Sequence, residues 1–201
     1  MRRNYQKFRV IKMVENNLTI CPICNSNDFK LILKKDMLDE IYYLRKCKSC
    51  GLVFVNPIPS QEKLNEYYNT DYAVPVYQQK KVILKSKKIL NILKKLGINK
   101  DSKFLEVGAS HGFFLNEVKK NKFKPYGVEL SKKAVLNAKK KYGLNIENKL
   151  FEKSSYYNKE NYFDVCVMLD VLEHVTNPND VLNGFNKVLN VDGKVVFTIP
   201  N

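Results

Sequence analysis

Two segments, Phe104-Leu-Glu-Val-Gly-Ala-Ser-His-Gly112 and Tyr126-Gly-Val-Glu-Leu130, constrain this 201-residue chain more than any other part. The first is a short apolar run that ends in two glycines four residues apart. The second ends in an acid about twenty residues later, the spacing of a βαβ nucleotide site. We therefore predict that Gly108 and Gly112 let the backbone approach a ligand, and that the Glu129 carboxylate binds a ribose diol.

The residues of the first loop indicate which nucleotide is bound. A pyrophosphate-binding loop reads G-x-G-x-x-G, but here Ser110 takes the middle position and Glu106 stands two residues before the first glycine. A carboxylate repels a phosphate, whereas it attracts a ligand that carries an ammonium group and a sulfonium. We therefore predict S-adenosylmethionine as the ligand.

From about residue 80 the sequence resembles the class I S-adenosylmethionine-dependent methyltransferases. Four motifs carry the resemblance in the family's order: 104–112, 127–130, 163–175 and 189–200. The resemblance implies that Glu106, Gly108 and Gly112 shape the methionine end of the site and that Asp170 lies near the amino-acid moiety. It also implies that Glu129 holds the ribose hydroxyls and that adenine contacts residues 150–152. Ala109 and Leu130 complete the implied cofactor-binding set.

The alternation of apolar runs and amphipathic segments after residue 76 predicts an α/β fold. Near-continuous apolar strands separated by helices indicate a Rossmann-like, mostly parallel sheet with helices on both faces. Such a sheet binds its ligand at the carboxyl ends of its strands, where Glu106, Glu129 and Asp170 fall. The expected elements are strands 104–108, 124–130, 145–151, 163–169 and 194–199, helices 112–120, 132–142 and 179–190, and helix 76–96, whose apolar face is expected to carry Val82, Ser86, Ile89, Ile92, Leu93 and Leu96.

Four cysteines form a second strong signal. Cys21 and Cys24, then Cys47 and Cys50, give two C-x2-C pairs separated by 22 residues, which is close to the spacing of a zinc ribbon. The intervening runs read as short strands too few to bury a core without a metal. We predict a small four-cysteine subdomain with a structural Zn²⁺; two disulfides or a redox pair are the alternatives.

We expect three parts: a zinc-ribbon-like module at 1–58, a tyrosine-rich linker at 59–78, and an S-adenosylmethionine-binding domain at 79–201. The stretch 21–75 resembles the zinc-bearing front end of many bacterial methyltransferases of sugar and surface-polysaccharide pathways. That resemblance implies a small-molecule acceptor, a sugar or glycan-pathway intermediate. Tyr68 and Tyr72 either close over the site or pack at an interface, and we favour packing.

The end of the sequence departs from the family pattern. The family's sheet has seven strands, the last two forming a hairpin beside the fifth, but this sequence stops at Asn201. We expect a truncated chain whose fifth strand is an exposed edge that self-association or a partner covers.

The formal net charge of +15 invites a nucleic-acid interpretation. Residues 1–75 carry 12 basic and 8 acidic side chains and residues 76–201 carry 23 and 12, so the excess is dispersed, and only four of the basic residues are Arg. This distribution favours solvated helix surfaces. No apolar run suits a membrane span or a signal peptide, so we expect a soluble, cytoplasmic protein without membrane contact.

Methyl transfer from a sulfonium needs a base only if the acceptor loses a proton. His174 follows the strand at 163–169 and is our candidate catalytic base. Its neighbour Glu173 either orients the imidazole or is a solvated surface acid, and we favour the surface acid. The first functional hypothesis is a methyltransferase acting on a small molecule. The alternatives are an RNA or protein methyltransferase that uses the basic surface, and an inactive zinc-dependent interaction module.

Overall fold

The structure is a computed structural model that describes residues 18–37, 40–69 and 76–200. The chain divides into two compact units, with the boundary between Leu64 and Asn65. Each unit contains its own sheet. The three-part division expected from the sequence stays a prediction, and Tyr72 and the side chain of Tyr68 lie outside the described residues.

The first unit contains a three-stranded antiparallel sheet in the order β1-β2-β3. Two of its strands occur where the sequence between the cysteine pairs predicted them. Ser60 caps the next helix, because its hydroxyl accepts a hydrogen bond from the Lys63 backbone N–H at 3.3 Å. The bounds are β1 Phe29–Met37, β2 Glu40–Cys47, β3 Val53–Asn56 and α1 Gln61–Asn69.

The second unit contains a five-stranded sheet in the order β6-β5-β4-β7-β8, and every neighbouring pair is parallel. Each strand is joined to the next through a helix or a longer connection, so the predicted Rossmann-like α/β fold is confirmed. The bounds are α2 Val76–Lys95, β4 Lys103–Val107, α3 Phe113–Lys120, β5 Lys124–Val128, α4 Lys132–Tyr142, β6 Ile146–Glu147, β7 Phe163–Leu169, α5 Pro178–Val188 and β8 Leu189–Thr198.

Two apolar clusters cover the two faces of this sheet. Alternate residues of a strand point to opposite faces, so Phe104 packs in one cluster and its neighbour Leu105 in the other. The first cluster includes α2, α3 and α4, and the second includes α5 and the 3-10 turn at Phe151–Lys153. The sheet is therefore buried on both sides, which explains its near-continuous apolar strands.

Three details of the second unit differ from the expectation. One is the start of the last strand, which begins at Leu189 instead of residue 194 because α5 already ends at Val188. On the predicted apolar face of α2, Ser86 and Leu93 are buried and Ile89 packs against the first cluster, as expected. Leu90 is buried too, whereas Ile92 is 58% exposed and so is Leu96, just beyond the end of the helix. The strand expected at 145–151 is only the two-residue β6. The chain then turns so that Phe151 inserts its ring into the second cluster, which ends the strand pairing.

Strand β8 lies at one edge of the five-stranded sheet in the described part of the chain. It begins directly after α5, and its register against β7 shifts between Phe163 and Val165. Several of its apolar side chains are exposed, including Val191 at 96%. A cavity of about 350 Å³ lies between α5 and β8, away from the glycine loop. The expected covering of this edge by a second copy or a partner stays a prediction.

Candidate active site

The loop after β4 is shaped by backbone conformations that favour glycine. Gly108 has a φ of 76° and Gly112 a φ of 73°, so both lie in the left-handed region. A Cβ atom built on Gly108 would lie 2.5 Å from Cγ2 of Val171, and one on Gly112 would lie 2.7 Å from Cδ1 of Leu144. The two glycines are therefore required both for the turn and for close packing.

Glu129 joins this loop to the start of α4. Its carboxylate accepts one hydrogen bond from the Ser110 backbone N–H at 2.8 Å and another from the Ser131 backbone N–H at 2.7 Å. Each carboxylate oxygen has a further lone pair with which it can accept from a ligand hydroxyl. Burial raises the pKa of Glu129, while the two backbone donors act in the opposite direction.

Glu106 lies inside the sheet and is 4% exposed. Its Oε2 atom has no hydrogen-bond partner in the described part of the chain, although a buried carboxyl oxygen is costly to leave unsatisfied. Burial, together with the charge of Glu129, raises the pKa of Glu106 well above its ordinary value. The structure thus brings the two predicted carboxylates close enough to repel each other.

Asp170 follows the last residue of β7 and has a φ of 56°, a conformation that Asp tolerates better than most residues. Its backbone N–H donates to the Thr198 carbonyl oxygen at 2.8 Å. Its carboxylate forms an ion pair with Lys85 of α2, with 3.0 Å between Nζ and Oδ2. The residue after it, Val171, contacts the glycine loop, so Asp170 lies beside that loop.

The remaining predicted cofactor residues lie on the same edge of the sheet. Ala109 is buried, and its backbone N–H donates to the Val128 carbonyl oxygen at 3.0 Å. The carbonyl oxygens of Glu129 and Leu130 accept from Nδ2 of Asn148 at 2.9 and 2.7 Å. Sequence reasoning missed Asn148, whose only signal is its place directly after β6, at the carboxyl end of that strand.

His174 lies at the end of a single 3-10 turn, Leu172–His174, and its side chain is 57% exposed. Its Nε2 atom lies 3.8 Å from Oε1 of Glu173, which is an ion-pair distance rather than a hydrogen bond. The turn follows Asp170 and Val171, so it begins at the same edge of the sheet as the acids. His174 is thus placed near the site, and Glu173 lies too far from it to orient the ring by a hydrogen bond.

The four cysteines of the first unit come together in a second candidate site. All four sulfur atoms lie within 4.8 Å of one another, with 3.6 Å between Cys21 and Cys50 and 3.5 Å between Cys24 and Cys47. A tetrahedral ion with metal–sulfur bonds of about 2.3 Å requires sulfur separations of about 3.8 Å. The observed distances fit that geometry, and they are too long for a disulfide bond of about 2.05 Å.

The local backbone explains how each cysteine pair turns. Asn25 and Gly51, the residues that follow the second cysteine of each pair, have φ values of 58° and 79°. Their backbone N–H groups donate to the carbonyl oxygens of Cys21 and Cys47 at 2.9 and 3.0 Å. Donation from the Cys50 backbone N–H is the main cause that lowers the pKa of Cys47 to about 6, which favours the thiolate that metals bind.

The fifth cysteine, Cys166, lies on β7, and burial raises the pKa of its thiol. It packs in the second apolar cluster, as expected for a residue without a chemical role.

The parallel sheet and the glycine loop with its acidic neighbours define a Rossmann-like nucleotide-binding domain. The chain belongs to the methyltransferase domain family, whose model matches residues 78–201. Membership of this family supports S-adenosylmethionine as the cofactor. No curated protein matches the sequence significantly.

Several solved structures share the fold at low sequence identity. An S-adenosylmethionine-dependent methyltransferase from Archaeoglobus fulgidus is 17% identical, with a TM-score of 0.50 over 71% of this chain and 59% of its own. A protein from Methanococcus maripaludis assigned as such a methyltransferase is 15% identical, with a TM-score of 0.52 over 70% and 63%. One from Galdieria sulphuraria assigned as a sarcosine dimethylglycine methyltransferase is 19% identical, with a TM-score of 0.51 over 58% and 47%.

The chain therefore spans between about half and two thirds of the length of these structures. Among the described helices, none is long and apolar enough to cross a membrane.

Proposed function

We propose that this chain transfers a methyl group from S-adenosylmethionine to a small-molecule acceptor, a sugar or an intermediate of a glycan pathway. The observation that carries the proposal is the pair of carboxyl groups at Glu106 and Glu129 beside a glycine loop. A buried acid, Glu106, beside the charge of the half-buried Glu129 suits a ligand with cationic groups, and a pyrophosphate would add to the repulsion.

Each residue has a distinct part in holding the donor. Glu129 would accept from the ribose hydroxyls through the lone pairs that Ser110 and Ser131 leave free. Gly108 and Gly112 allow the backbone to approach the methionine end, and Asp170 offers a carboxylate to the amino group. Ala109 and Leu130 would line the same edge. Residues 150–152 would contact the adenine through Leu150, Glu152 or the backbone, because the Phe151 ring is buried in the second apolar cluster. When bound, S-adenosylmethionine supplies an electrophilic methyl group.

His174 is the proposed general base. It is exposed at the start of the connection after β7, where an imidazole can accept a proton from an acceptor hydroxyl. The sugar or glycan class of the acceptor rests on the sequence resemblance of residues 21–75 alone.

The four cysteines would hold a structural Zn²⁺ in the first unit. Four sulfur ligands leave no open coordination position, so the ion would stabilise the small sheet rather than act on a substrate. Burial of both Cys21 and Cys47 supports this role, because those sulfurs lie within the unit instead of at its surface.

Isothermal titration calorimetry of the full chain with S-adenosylmethionine and S-adenosylhomocysteine tests the cofactor proposal. We expect saturable binding of both at one site per chain. Glu129→Gln should weaken both ligands at least tenfold, because an amide replaces one acceptor oxygen with a donor. Absence of binding by either ligand to the folded wild-type chain would end the enzyme interpretation.

A polymer acceptor is the second candidate, and one observation favours it. The Nζ atoms of Lys103 and Lys159 lie 3.7 and 4.5 Å from the ring centroid of Tyr162. This basic aromatic surface lies at the amino ends of β4 and β7, opposite the edge with the glycine loop, so a polymer would have to extend around the sheet to reach the donor. RNA is bound by lysines combined with stacking rings. Retention on immobilised RNA would favour this acceptor class over a small molecule, provided that the logarithm of the binding constant falls with the logarithm of the salt concentration with a slope that corresponds to several released counterions.

A further inference from the structure

Lys85 of α2 is the residue that links a helix outside the motifs to the candidate cofactor site. Its Nζ atom lies 3.0 Å from Oδ2 and 3.2 Å from Oδ1 of Asp170, and 2.9 Å from Oγ1 of Thr198. An ammonium group has three N–H donors, so all three are used at the ends of β7 and β8. Thr198 in turn donates its hydroxyl to Oδ1 of Asp170 at 3.0 Å.

These contacts leave Asp170 with a resident cation. Lys85 is the cationic side chain within ion-pair distance of Asp170 in the described part of the chain, and both carboxylate oxygens interact with it. The contact of the next residue, Val171, with Gly108 places Asp170 beside the glycine loop. A cation from α2 is therefore held at the edge of the cofactor site.

We propose that Lys85 is a counter-ion of Asp170 which the ammonium group of the methyl donor's amino-acid moiety replaces on binding. This inference rests on the proposed function, in which Asp170 receives that ammonium group. Both groups are –NH3⁺, so they compete for the same acceptors, and placing two cations side by side at one carboxylate is unfavourable. Binding of the donor therefore includes the cost of releasing Lys85 from Asp170.

The exposure of the pair makes this exchange inexpensive. The Lys85 side chain is 38% exposed and that of Asp170 is 50% exposed, so water replaces either partner readily. Exposed ion pairs are individually weak, and their loss corresponds to a factor of roughly two to five in an equilibrium constant. That factor sets the size of the expected effect on donor affinity.

The test measures the affinity of the Lys85→Met chain for S-adenosylmethionine and S-adenosylhomocysteine by calorimetry. We expect both to bind roughly two to five times more tightly than to the wild type, because both carry the same amino group. Lys85→Arg retains a cation at this position and should bind both ligands like the wild type. Lys87→Met is the matched control: it removes an equal charge from an exposed position of α2 and should leave both affinities unchanged.

Opposite results would overturn the inference. If Lys85 instead orients Asp170 for the ligand, Lys85→Met weakens both ligands and Lys85→Arg restores them. Tightening for S-adenosylmethionine alone would place the competition at the sulfonium and would also contradict the proposal. Failure of the wild type to bind either ligand would mark the failure of the proposed function instead. Thermal unfolding of each variant confirms that it is folded, and Lys85→Gln replaces Lys85→Met if the latter is not.

Discussion

Replacing Gly108 by alanine should separate the two reasons why glycine stands at this position. The left-handed conformation, with a φ of 76°, costs a non-glycine residue about 1–2 kcal/mol. The new Cβ would also meet Cγ2, Cγ1 and Cβ of Val171 at 2.5, 3.0 and 3.3 Å. Overpacking of this kind adds about 1–3 kcal/mol, so Gly108→Ala should lower the free energy of unfolding by about 2–5 kcal/mol.

The backbone cannot move away from this contact without losing a hydrogen bond. The Gly108 N–H donates to the Val128 carbonyl oxygen at 3.0 Å, which fixes the turn between β4 and β5. Val171 must therefore move, and Asp170 moves with it. We expect affinity for S-adenosylmethionine to fall at least tenfold, or about 1.4 kcal/mol, in addition to the loss of stability.

Two further variants make the test decisive. Gly97 has a φ of 90° with no atom within 4 Å of a built Cβ, so Gly97→Ala should cost only the conformational contribution of about 1–2 kcal/mol and leave cofactor affinity unchanged. The double variant Gly108→Ala/Val171→Ala should be less destabilised than the sum of its single changes, because the steric partner is gone. Urea denaturation and calorimetry measure both quantities. Equal losses of stability for Gly97→Ala and Gly108→Ala, or strict additivity in the double variant, would refute the packing argument.

Three further predictions concern the acids, the cysteines and His174. The pKa of Glu106 is raised in the folded chain above its ordinary value of 4.5, so the contribution of Glu106 to the free energy of unfolding is full below that pH and declines as the pH rises above it. Glu106→Gln should remove this decline. Urea titrations from about pH 5 to 7.5 that give the same pH dependence of stability for both chains would contradict the prediction. Cys47→Ser should remove stoichiometric zinc binding, which stabilises structural sites by about 10–16 kcal/mol, and should therefore unfold the first unit. Cys166→Ser should retain the metal in elemental analysis. Equal metal content in the two variants would exclude the four-cysteine site. His174→Ala should leave donor affinity within about twofold while slowing transfer to a hydroxyl acceptor roughly 100-fold or more, measured as S-adenosylhomocysteine release; an unchanged rate would remove His174 as the base.

The sequence was sufficient to predict the succession of strands and helices along the second unit, a mostly parallel sheet, and the residues at the carboxyl ends of its strands. Apolar runs and glycine positions are local features, and the parallel sheet brings their ends together by topology. The cysteine spacing likewise predicted which four sulfurs would meet. By contrast, Lys85 and Asn148 have no local pattern that distinguishes them from the many other Lys and Asn residues of the chain. Their contacts depend on how α2 and β6 pack, which periodicity does not determine.

The same limit explains why one margin of the apolar face of α2 was predicted wrongly. Leu90 and Ile92 lie on opposite margins of the apolar stripe that contains Ser86 and Leu93. Helical spacing alone does not determine which margin faces the sheet, because a small rotation of the helix exchanges one for the other. Packing against the sheet selects Leu90, which is 1% exposed, and leaves Ile92 58% exposed. That selected orientation also carries Lys85, one turn earlier, to the end of β7.

The electrostatics of the acids argue that the site is built for a ligand rather than for stability. Glu106 has a buried oxygen without a partner in the described residues and lies close enough to Glu129 for each charge to oppose the other. A core residue chosen for folding alone would be apolar here, because burying an unpaired carboxyl group is unfavourable. A cationic ligand reverses that balance by stabilising the ionised forms of both acids. Donor binding should therefore release protons from the protein, and calorimetric enthalpies measured in buffers of different ionisation enthalpy should differ in proportion; identical enthalpies would show that the carboxyl groups do not sense the ligand.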